Sequence, residues 1–313
     1  MIKNWLVTGD THGQVMTRLM SLGTTDYKPE ETALIILGDA GINFYLNKTD
    51  MKNKEAIQKT GFTIYCVRGN HEERPENLGY IEHWYDDNVN GYIMCEPDYP
   101  NIKYFEDGSA YEICGKSVLV MGGAYSVDKW YRLNRAGVFD KKDPKYLNPR
   151  KTGWFPDEQL LGWEMEMIEK DHFGKHYDII LTHTCPESWE PRDLFLSGLD
   201  QSTVDKTMEK WFDKVKVNID WNIWLFGHYH DDRLVRPGVE MYYTDIESWE
   251  TIMQRWENPD KIDWWLRKDP NYDAKHATYK ATGNIFTAQA LAAKKLKANK
   301  LGNIFDNSTI VNN

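Results

Sequence analysis

The chain has few cysteines, no long apolar run and no excess of positive charge. Its four cysteines, Cys66, Cys95, Cys114 and Cys185, form no C-x-x-C pair, which argues against a disulfide framework or a thiolate zinc site. No apolar stretch approaches the roughly 18 residues of a membrane span. No basic segment followed by an apolar one stands at the N-terminus, as it would in a secretory signal. We therefore expect a cytoplasmic protein that does not associate with membranes.

The charge balance is acidic. A net charge of −10 and a pI near 5.4 argue against a general electrostatic attraction to DNA, RNA or anionic membranes. A phosphate substrate is still compatible with this balance, because bound cations would reverse the local field. The 313 residues, 41% of them hydrophobic, suit one large domain or a domain with an appendage.

The first 80 residues alternate apolar runs with helical patterns. Strands are predicted at Trp5–Thr8, Leu34–Leu37 and Phe62–Val67, each long enough for a buried strand. Helices are predicted between them, over Gln14–Leu22 and near Lys52–Lys59. This β-α-β-α-β order is typical of an α/β fold.

The rest of the chain continues with strands and helices up to a change in composition. Further strands are predicted at Ser117–Met121, Tyr177–Leu181, Ile223–Phe226 and Met241–Asp245, and helices over Asp157–His172 and Ser202–Val215. From about residue 250 the sequence becomes rich in Trp and then in Ala and Lys. We therefore predict a domain over residues 1–249 and a C-terminal extension over residues 250–313.

Side chains of the types that bind metals follow five of these strands. Seven candidate metal ligands and one candidate acid make up the set: Asp10, His12, Asp39, Asn70, His183, His228 and His230, with His71 as the acid. Taken singly, an Asp after Gly is more often a turn residue, and a lone His more often structural. Together they predict one site, because chemistry gathers at the carboxyl ends of strands in open α/β sheets.

The ligand types indicate the metals. A mixed set of imidazole and oxygen ligands suits divalent Mn, Fe, Zn or Co. Two such ions would carry more positive charge than Asp10 and Asp39 return, so the pocket would attract an anionic phosphate. The residues alone therefore predict a two-metal hydrolase.

In this order the motifs resemble those of the calcineurin-like metallophosphoesterases, in particular the bacterial and phage-type enzymes. The family's pattern is D-x-H, G-D, G-N-H-[DE], a single H and G-H-x-H. The corresponding residues here are Asp10 and His12, Gly38-Asp39, Gly69-Asn70-His71-Glu72, His183 and Gly227-His228-Tyr229-His230. The resemblance implies a sandwich of two mixed β-sheets flanked by helices.

The resemblance also implies a role for each site residue. Asp10, His12 and His230 would hold one cation, Asn70, His183 and His228 a second, and Asp39 would bridge them. His71 would act as an acid toward the leaving oxygen or stabilise the transferring phosphoryl group. The implied reaction is hydrolysis of a phosphomonoester or phosphodiester by a metal-bridging hydroxide. Two divalent ions are the expected cofactors, with Mn²⁺ preferred and Fe, Zn, Co or Mg as alternatives.

One departure concerns the substrate. After Gly38-Asp39 the chain reads Ala40-Gly41-Ile42-Asn43 and lacks the arginine with which the Ser/Thr protein phosphatase branch grips phosphate. Protein phosphatase activity is therefore not expected. We expect a small phosphorylated substrate, with a nucleotide as one option.

Other interpretations stay open. The same motifs fit a nucleotide phosphodiesterase or a nuclease, for which the Lys294–Lys300 segment would be a basic helix rather than a solvated tail. They also fit an inactive metal-binding scaffold that acts through residues 250–313. In the loop after Gly122-Gly123, Lys129 or Arg132 would contact a phosphate or a base, unless it is an ordinary surface loop. The sequence leaves nucleic-acid binding and the oligomeric state open.

Overall fold

The computed structural model describes residues 1–138, 148–195 and 201–257. Within that part, the strands are β1 (Asn4–Thr8), β2 (Thr32–Leu37), β3 (Thr63–Val67), β4 (Glu82–Asp86), β5 (Gly91–Cys95), β6 (Ile102–Tyr104), β7 (Ser109–Ile113), β8 (Lys116–Met121), β9 (His176–Thr182), β10 (Asp220–Phe226), β11 (Arg233–Arg236), β12 (Val239–Met241) and β13 (Glu247–Ser248). The helices are α1 (Val15–Leu22), α2 (Lys48–Thr60), α3 (Lys129–Arg135), α4 (Pro149–Thr152), α5 (Gly162–His172), α6 (Thr207–Asn218) and α7 (Trp249–Glu257).

The strands form two mixed sheets flanked by helices, as predicted. A seven-stranded sheet has the order β13-β1-β2-β3-β6-β5-β4, and a six-stranded sheet has the order β11-β12-β10-β9-β8-β7. Strands β1, β2, β3 and β6 run parallel, as do β8, β9, β10 and β12. In each sheet the carboxyl ends of these parallel strands therefore lie along one edge.

Strand β2 shows why the apolar runs fold this way. Ala33, Ile35 and Leu37 pack in the core between the two sheets. Leu34 and Ile36, on the other face, pack in a second apolar cluster with the helices. A strand covered on both faces reads as a continuous apolar run instead of an alternating one.

The helices complete this packing. In α1, one face is buried, formed by Val15, Leu19 and Leu22, and it belongs to the same outer cluster as Leu34. Helix α2 is longer than predicted. It begins after Asn47, whose side chain accepts a hydrogen bond from the Thr49 amide, and its end is marked by the left-handed Gly61.

The helix predicted over Asp157–His172 begins instead at Gly162. Arginine side chains take the carbonyl groups that a first helical turn would need. Arg74 donates to the carbonyls of Asp157 at 2.8 Å and Gln159 at 2.7 Å. Arg68 donates to the carbonyl of Glu158 at 2.7 Å. Residues 157–161 therefore stay extended or turned, and Glu158 is buried.

Two other predicted elements are displaced. The helix predicted over Ser202–Val215 begins at Thr207 and continues to Asn218. The strand predicted over Met241–Asp245 ends at Met241. After it, the Asp232 carboxylate accepts from the amides of Tyr243, Thr244 and Asp245. Those amides are therefore used in a turn and not in a ladder.

The chain divides into two compact units. The larger unit, Met1–Glu190 with Val204–Ile262, contains both sheets, and the described residues of the second, Pro191–Thr203 with Asp263–Asn313, form 3₁₀ turns. Trp249 and Ile252 of α7 pack in the inter-sheet core. The remaining extension, including the basic segment at 294–300, lies outside the described residues, so the boundary near 250 stays a prediction. No helix in the described part is long and apolar enough to cross a bilayer.

Candidate metal centre

The loops after β1, β2, β3, β9 and β10 meet at one edge of the sandwich. They bring all eight predicted site residues into contact with one another, directly or through a neighbour: Asp10, His12, Asp39, Asn70, His71, His183, His228 and His230. The two sheets contribute different members, because β1 to β3 belong to one sheet and β9 and β10 to the other. The centre therefore lies where the two sheets converge.

The first group of ligand atoms comes from the loops after β1 and β10. The Nε2 atoms of His12 and His230 are 2.8 Å apart. The Asp10 Oδ2 atom lies 3.1 Å from Nε2 of His230 and 3.8 Å from Nε2 of His12. One carboxylate and two imidazoles thus direct ligand atoms at a common point.

The second group joins the loops after β3 and β9. Nε2 of His183 lies 2.8 Å from Oδ1 of Asn70, and the His183 and His228 rings are 4.9 Å apart between centroids. Nδ1 of His183 donates to the Leu37 carbonyl at 2.8 Å, since a carbonyl only accepts. This bond orients the ring and leaves Nε2 as the ligand atom.

Asp39 lies between the two groups. Its Oδ1 atom is 3.5 Å from Nε2 of His183, and its Oδ2 atom is 3.8 Å from Nδ1 of His12. Oδ1 also accepts from the amides of Asn70 and His71, each at 2.8 Å. The carboxylate therefore reaches both groups while its orientation is fixed by the third loop.

Bringing these loops together requires unusual backbone. Four of the site residues, His12, Asp39, His228 and His230, adopt the left-handed region with φ between 45° and 70°. Non-glycine residues rarely take this conformation, and it is concentrated at functional sites. The glycine before Asp39 is also left-handed, and a Cβ on Gly38 would lie 2.1 Å from Nδ1 of His183.

The electrostatics of the centre favour a positive charge near Nε2 of His183. Burial lowers the pKa of His183, but Asp39 and Asp10 outweigh it and raise the pKa to about 9. Burial raises the pKa of both carboxyls, yet the facing His183 brings the net value below the ordinary range. Burial and His183 lower the pKa of His228 to about 3. The centre therefore stabilises one positive charge, whether a proton or a cation carries it.

The residues present fit divalent cations. With Nδ1 of His183 donating to Leu37, its Nε2 atom faces Oδ1 of Asn70 and Oδ1 of Asp39. Nε2 of His183 thus lies within 3.5 Å of two oxygens that can act as ligands, an arrangement that a shared cation stabilises. The group of Asp10, His12 and His230 converges in the same way, with ligand atoms within 4.8 Å of one another.

His71 lies at the rim of the centre. It is half-buried, its ring is 5.6 Å from that of His12, and burial lowers its pKa. Its Nδ1 atom is buried without a hydrogen-bond partner among the described residues. This position, beside the ligands but outside both groups, is compatible with the predicted contact to a substrate.

Three supporting residues were missed by the sequence analysis. Glu72 accepts from the amides of Gly41 and Gly69, each at 3.1 Å, and so joins the second and third loops. Ser126 contacts Asn70, and Glu158 contacts Ser126. Glu72 follows His71 in its motif and could have been examined there. Ser126 and Glu158 have no signal in the local sequence.

The comparisons with known proteins agree with this geometry. The chain belongs to the calcineurin-like phosphoesterase family, whose model matches residues 4–232. Members of this class are metal-dependent hydrolases of phosphoester bonds that typically bind two divalent metals. The predicted family and fold class are therefore confirmed.

More distant matches add no functional detail. One crystal structure has 12% identity and a TM-score of 0.41, covering 80% of this chain and 96% of its own. The phosphopantetheinyl hydrolase PptH from Mycobacterium tuberculosis has 12% identity and a TM-score of 0.35, covering 86% of this chain and 97% of its own. No curated protein matches the chain significantly.

Proposed function

We propose that the protein hydrolyses a small phosphomonoester or phosphodiester with the help of two divalent cations. Asp10, His12 and His230 would hold one cation, and Asn70, His183 and His228 the other. The observation that supports this most directly is the position of Asp39, with one oxygen 3.5 Å from His183 and the other 3.8 Å from His12. A single carboxylate that faces two ligand groups is suited to bridge two ions.

In this proposal the cations supply the chemistry, and nearby residues of the chain orient the ligands and contact the substrate. Bound cations at such a centre supply Lewis acidity, lower the pKa of a bound water and stabilise both ends of an in-line displacement. Leu37 fixes the ring of His183 through the 2.8 Å hydrogen bond to its carbonyl. His71 would contact the leaving oxygen or the phosphoryl group from the rim.

The mixed nitrogen and oxygen ligands suit divalent Mn, Fe, Zn or Co, and we take Mn²⁺ as the preferred ion, with Fe, Zn, Co and Mg as alternatives. The choice between monoesters and diesters depends on contacts outside the metal ligands. Manganese, a small phosphorylated substrate and a cytoplasmic location all stay predictions.

The test uses p-nitrophenyl phosphate and bis-p-nitrophenyl phosphate with the full chain and Mn²⁺. We expect hydrolysis of at least one ester, its loss on chelation, and two Mn²⁺ per chain. Asp39→Asn keeps an oxygen that can accept from the amides of Asn70 and His71, but removes the second ligand oxygen. It should lower kcat/KM by at least about 100-fold. Loss of a residue that only supports a metal ligand typically costs about 10- to 100-fold, and Asp39 is itself a proposed ligand.

Two further variants sharpen the result. His71→Ala should lower kcat while both cations stay bound, because His71 lies outside both ligand groups. Asp171→Asn makes the same chemical change at an exposed position on α5. It should leave both the rate of hydrolysis and the number of bound Mn²⁺ ions unchanged. Equal rates in the wild type, Asp39→Asn and the chelated protein would rule out the proposed function and favour a binding scaffold.

A further inference from the structure

A sixth strand end contributes to the centre without supplying a ligand. Strand β8 ends at Met121, and five residues later the Ser126 hydroxyl lies 2.8 Å from Nδ2 of Asn70. Both residues are almost fully buried, with 2% of Ser126 and 1% of Asn70 exposed. The amide of a predicted metal ligand therefore has a dedicated partner on its far side.

Ser126 is held in place by Glu158. The Ser126 amide donates to Oε1 of Glu158 at 3.0 Å. The Ser126 hydroxyl oxygen accepts from Nδ2 of Asn70, as a hydroxyl lone pair can. Ser126 therefore supplies an acceptor for the NH₂ group of Asn70 on the side away from His183.

The amide orientation decides what Asn70 presents to the centre. With Nδ2 on Ser126, Oδ1 faces Nε2 of His183 at 2.8 Å. A half-turn of the amide would present an NH₂ group there, and an NH₂ group does not ligate a cation. The contact with Ser126 thus supports the orientation of Asn70 that can bind metal.

Several hydrogen bonds hold the backbone at Glu158. Arg68 donates to the carbonyl of Glu158 at 2.7 Å and to that of Gly122 at 3.1 Å, and its Nε donates to Asp107 at 2.6 Å. A Cβ on Gly123 would lie 2.5 Å from the Glu158 carbonyl oxygen, which shows how closely the two segments approach. Glu158 is therefore held in place beside Ser126.

We propose that Ser126, oriented by Glu158, is a positioning residue for Asn70 and tunes the affinity of the cation that Asn70 and His183 share. This inference rests on the proposed function only in taking Asn70 as a ligand. It concerns residues outside the family motifs, and its readout is metal binding and not hydrolysis.

The experiment compares Mn²⁺ binding in Ser126→Ala and wild type by calorimetry, and follows the spin-coupled Mn pair by EPR. Ser126→Ala should weaken the binding of one of the two Mn²⁺ ions by about 10- to 100-fold and leave the affinity for the other unchanged. When only the tighter site is filled, the EPR signal of the coupled pair should be replaced by that of isolated Mn²⁺. Ser126→Cys retains the volume but accepts hydrogen bonds weakly, and it serves as a second variant should the alanine variant fold poorly. Ser21→Ala, at an exposed position on α1, is the control and should change nothing.

A second background separates positioning from general damage. Asn70→Asp presents an oxygen in either orientation of the side chain. In that background, Ser126→Ala should therefore lower the Mn²⁺ affinity by less than about threefold relative to Asn70→Asp alone. Equal losses in both backgrounds, or an unchanged affinity in Ser126→Ala, would overturn the inference. A wild-type protein that binds two Mn²⁺ but hydrolyses no ester would contradict the proposed function and leave this result standing.

Discussion

Glu209 is a buried acid whose replacement should make the protein more stable at neutral and alkaline pH. It lies on α6, is 3% exposed, and accepts a hydrogen bond from the Thr184 hydroxyl at 3.0 Å. Its second oxygen has no hydrogen-bond partner in the described residues. Thr184 directly follows the predicted ligand His183, so Glu209 contacts the residue next to the metal centre.

The size and sign of the effect follow from the pKa. Burial raises the pKa of Glu209 from an ordinary value of 4.5 to about 7. Below pH 4.5 the group is protonated in both folded and unfolded protein and costs nothing. Between pH 4.5 and 7 only the unfolded chain loses the proton, so stability falls as the pH rises. Above pH 7 the full cost is about 3 kcal/mol.

Glu209→Gln removes this cost and keeps an oxygen for Thr184. Urea unfolding with chelator, from pH 4.5 to 8, should show equal stabilities at the acid end and a variant more stable by up to about 3 kcal/mol at pH 8. Other groups titrate in both proteins, so they cancel in the difference. Glu166→Gln, an exposed counterpart on α5, should give a flat difference. A flat difference for Glu209→Gln as well would refute the reasoning.

Two further substitutions test other contacts. Gly38→Ala adds a Cβ 2.1 Å from Nδ1 of His183 at φ 91°, whereas Gly115→Ala adds one at φ 73° with nothing within 4 Å. Backbone strain should lower the free energy of unfolding of both variants by about 1–3 kcal/mol. Only Gly38→Ala should lose affinity for one Mn²⁺ in calorimetry. Equal Mn²⁺ affinities in the two variants would contradict the close approach of Gly38 to His183. Lys54 and Glu96 form a buried ion pair, so Lys54→Met should cost about 3–5 kcal/mol in urea unfolding. The double change with Glu96→Leu should recover most of that, and a single-variant cost below about 1 kcal/mol would show that the pair is unimportant.

The strands were predictable because their signal is local. The runs at Trp5–Thr8, Leu34–Leu37 and Ile223–Phe226 all lie within observed strands. Each is buried on both faces, and each is followed by glycine that allows the chain to turn toward the site. The same locality made the candidate ligands visible, since a ligand directly after a strand has nowhere to point but the sheet edge.

The boundaries that failed depend on distant side chains. The start of α5 is displaced because Arg68 and Arg74, about 90 residues earlier, take its carbonyls. The end of β12 is determined by Asp232. Ser126 and Asn70 are 56 residues apart, and no sequence pattern near either residue indicates that they are in contact. Such pairs become visible only when the chain has folded.

The predicted ligands are also held by one another, which no motif describes. The Asp39 carbonyl accepts from the amides of Thr11 at 3.1 Å and His12 at 2.8 Å, and its carboxylate accepts from the third loop. The Asp10 carboxylate accepts from the amide of His228 at 2.8 Å. Because these bonds join the loops of both sheets, they offset part of the strain of the left-handed residues. The ligand-bearing loops are therefore held by one another as well as by the strands that carry them.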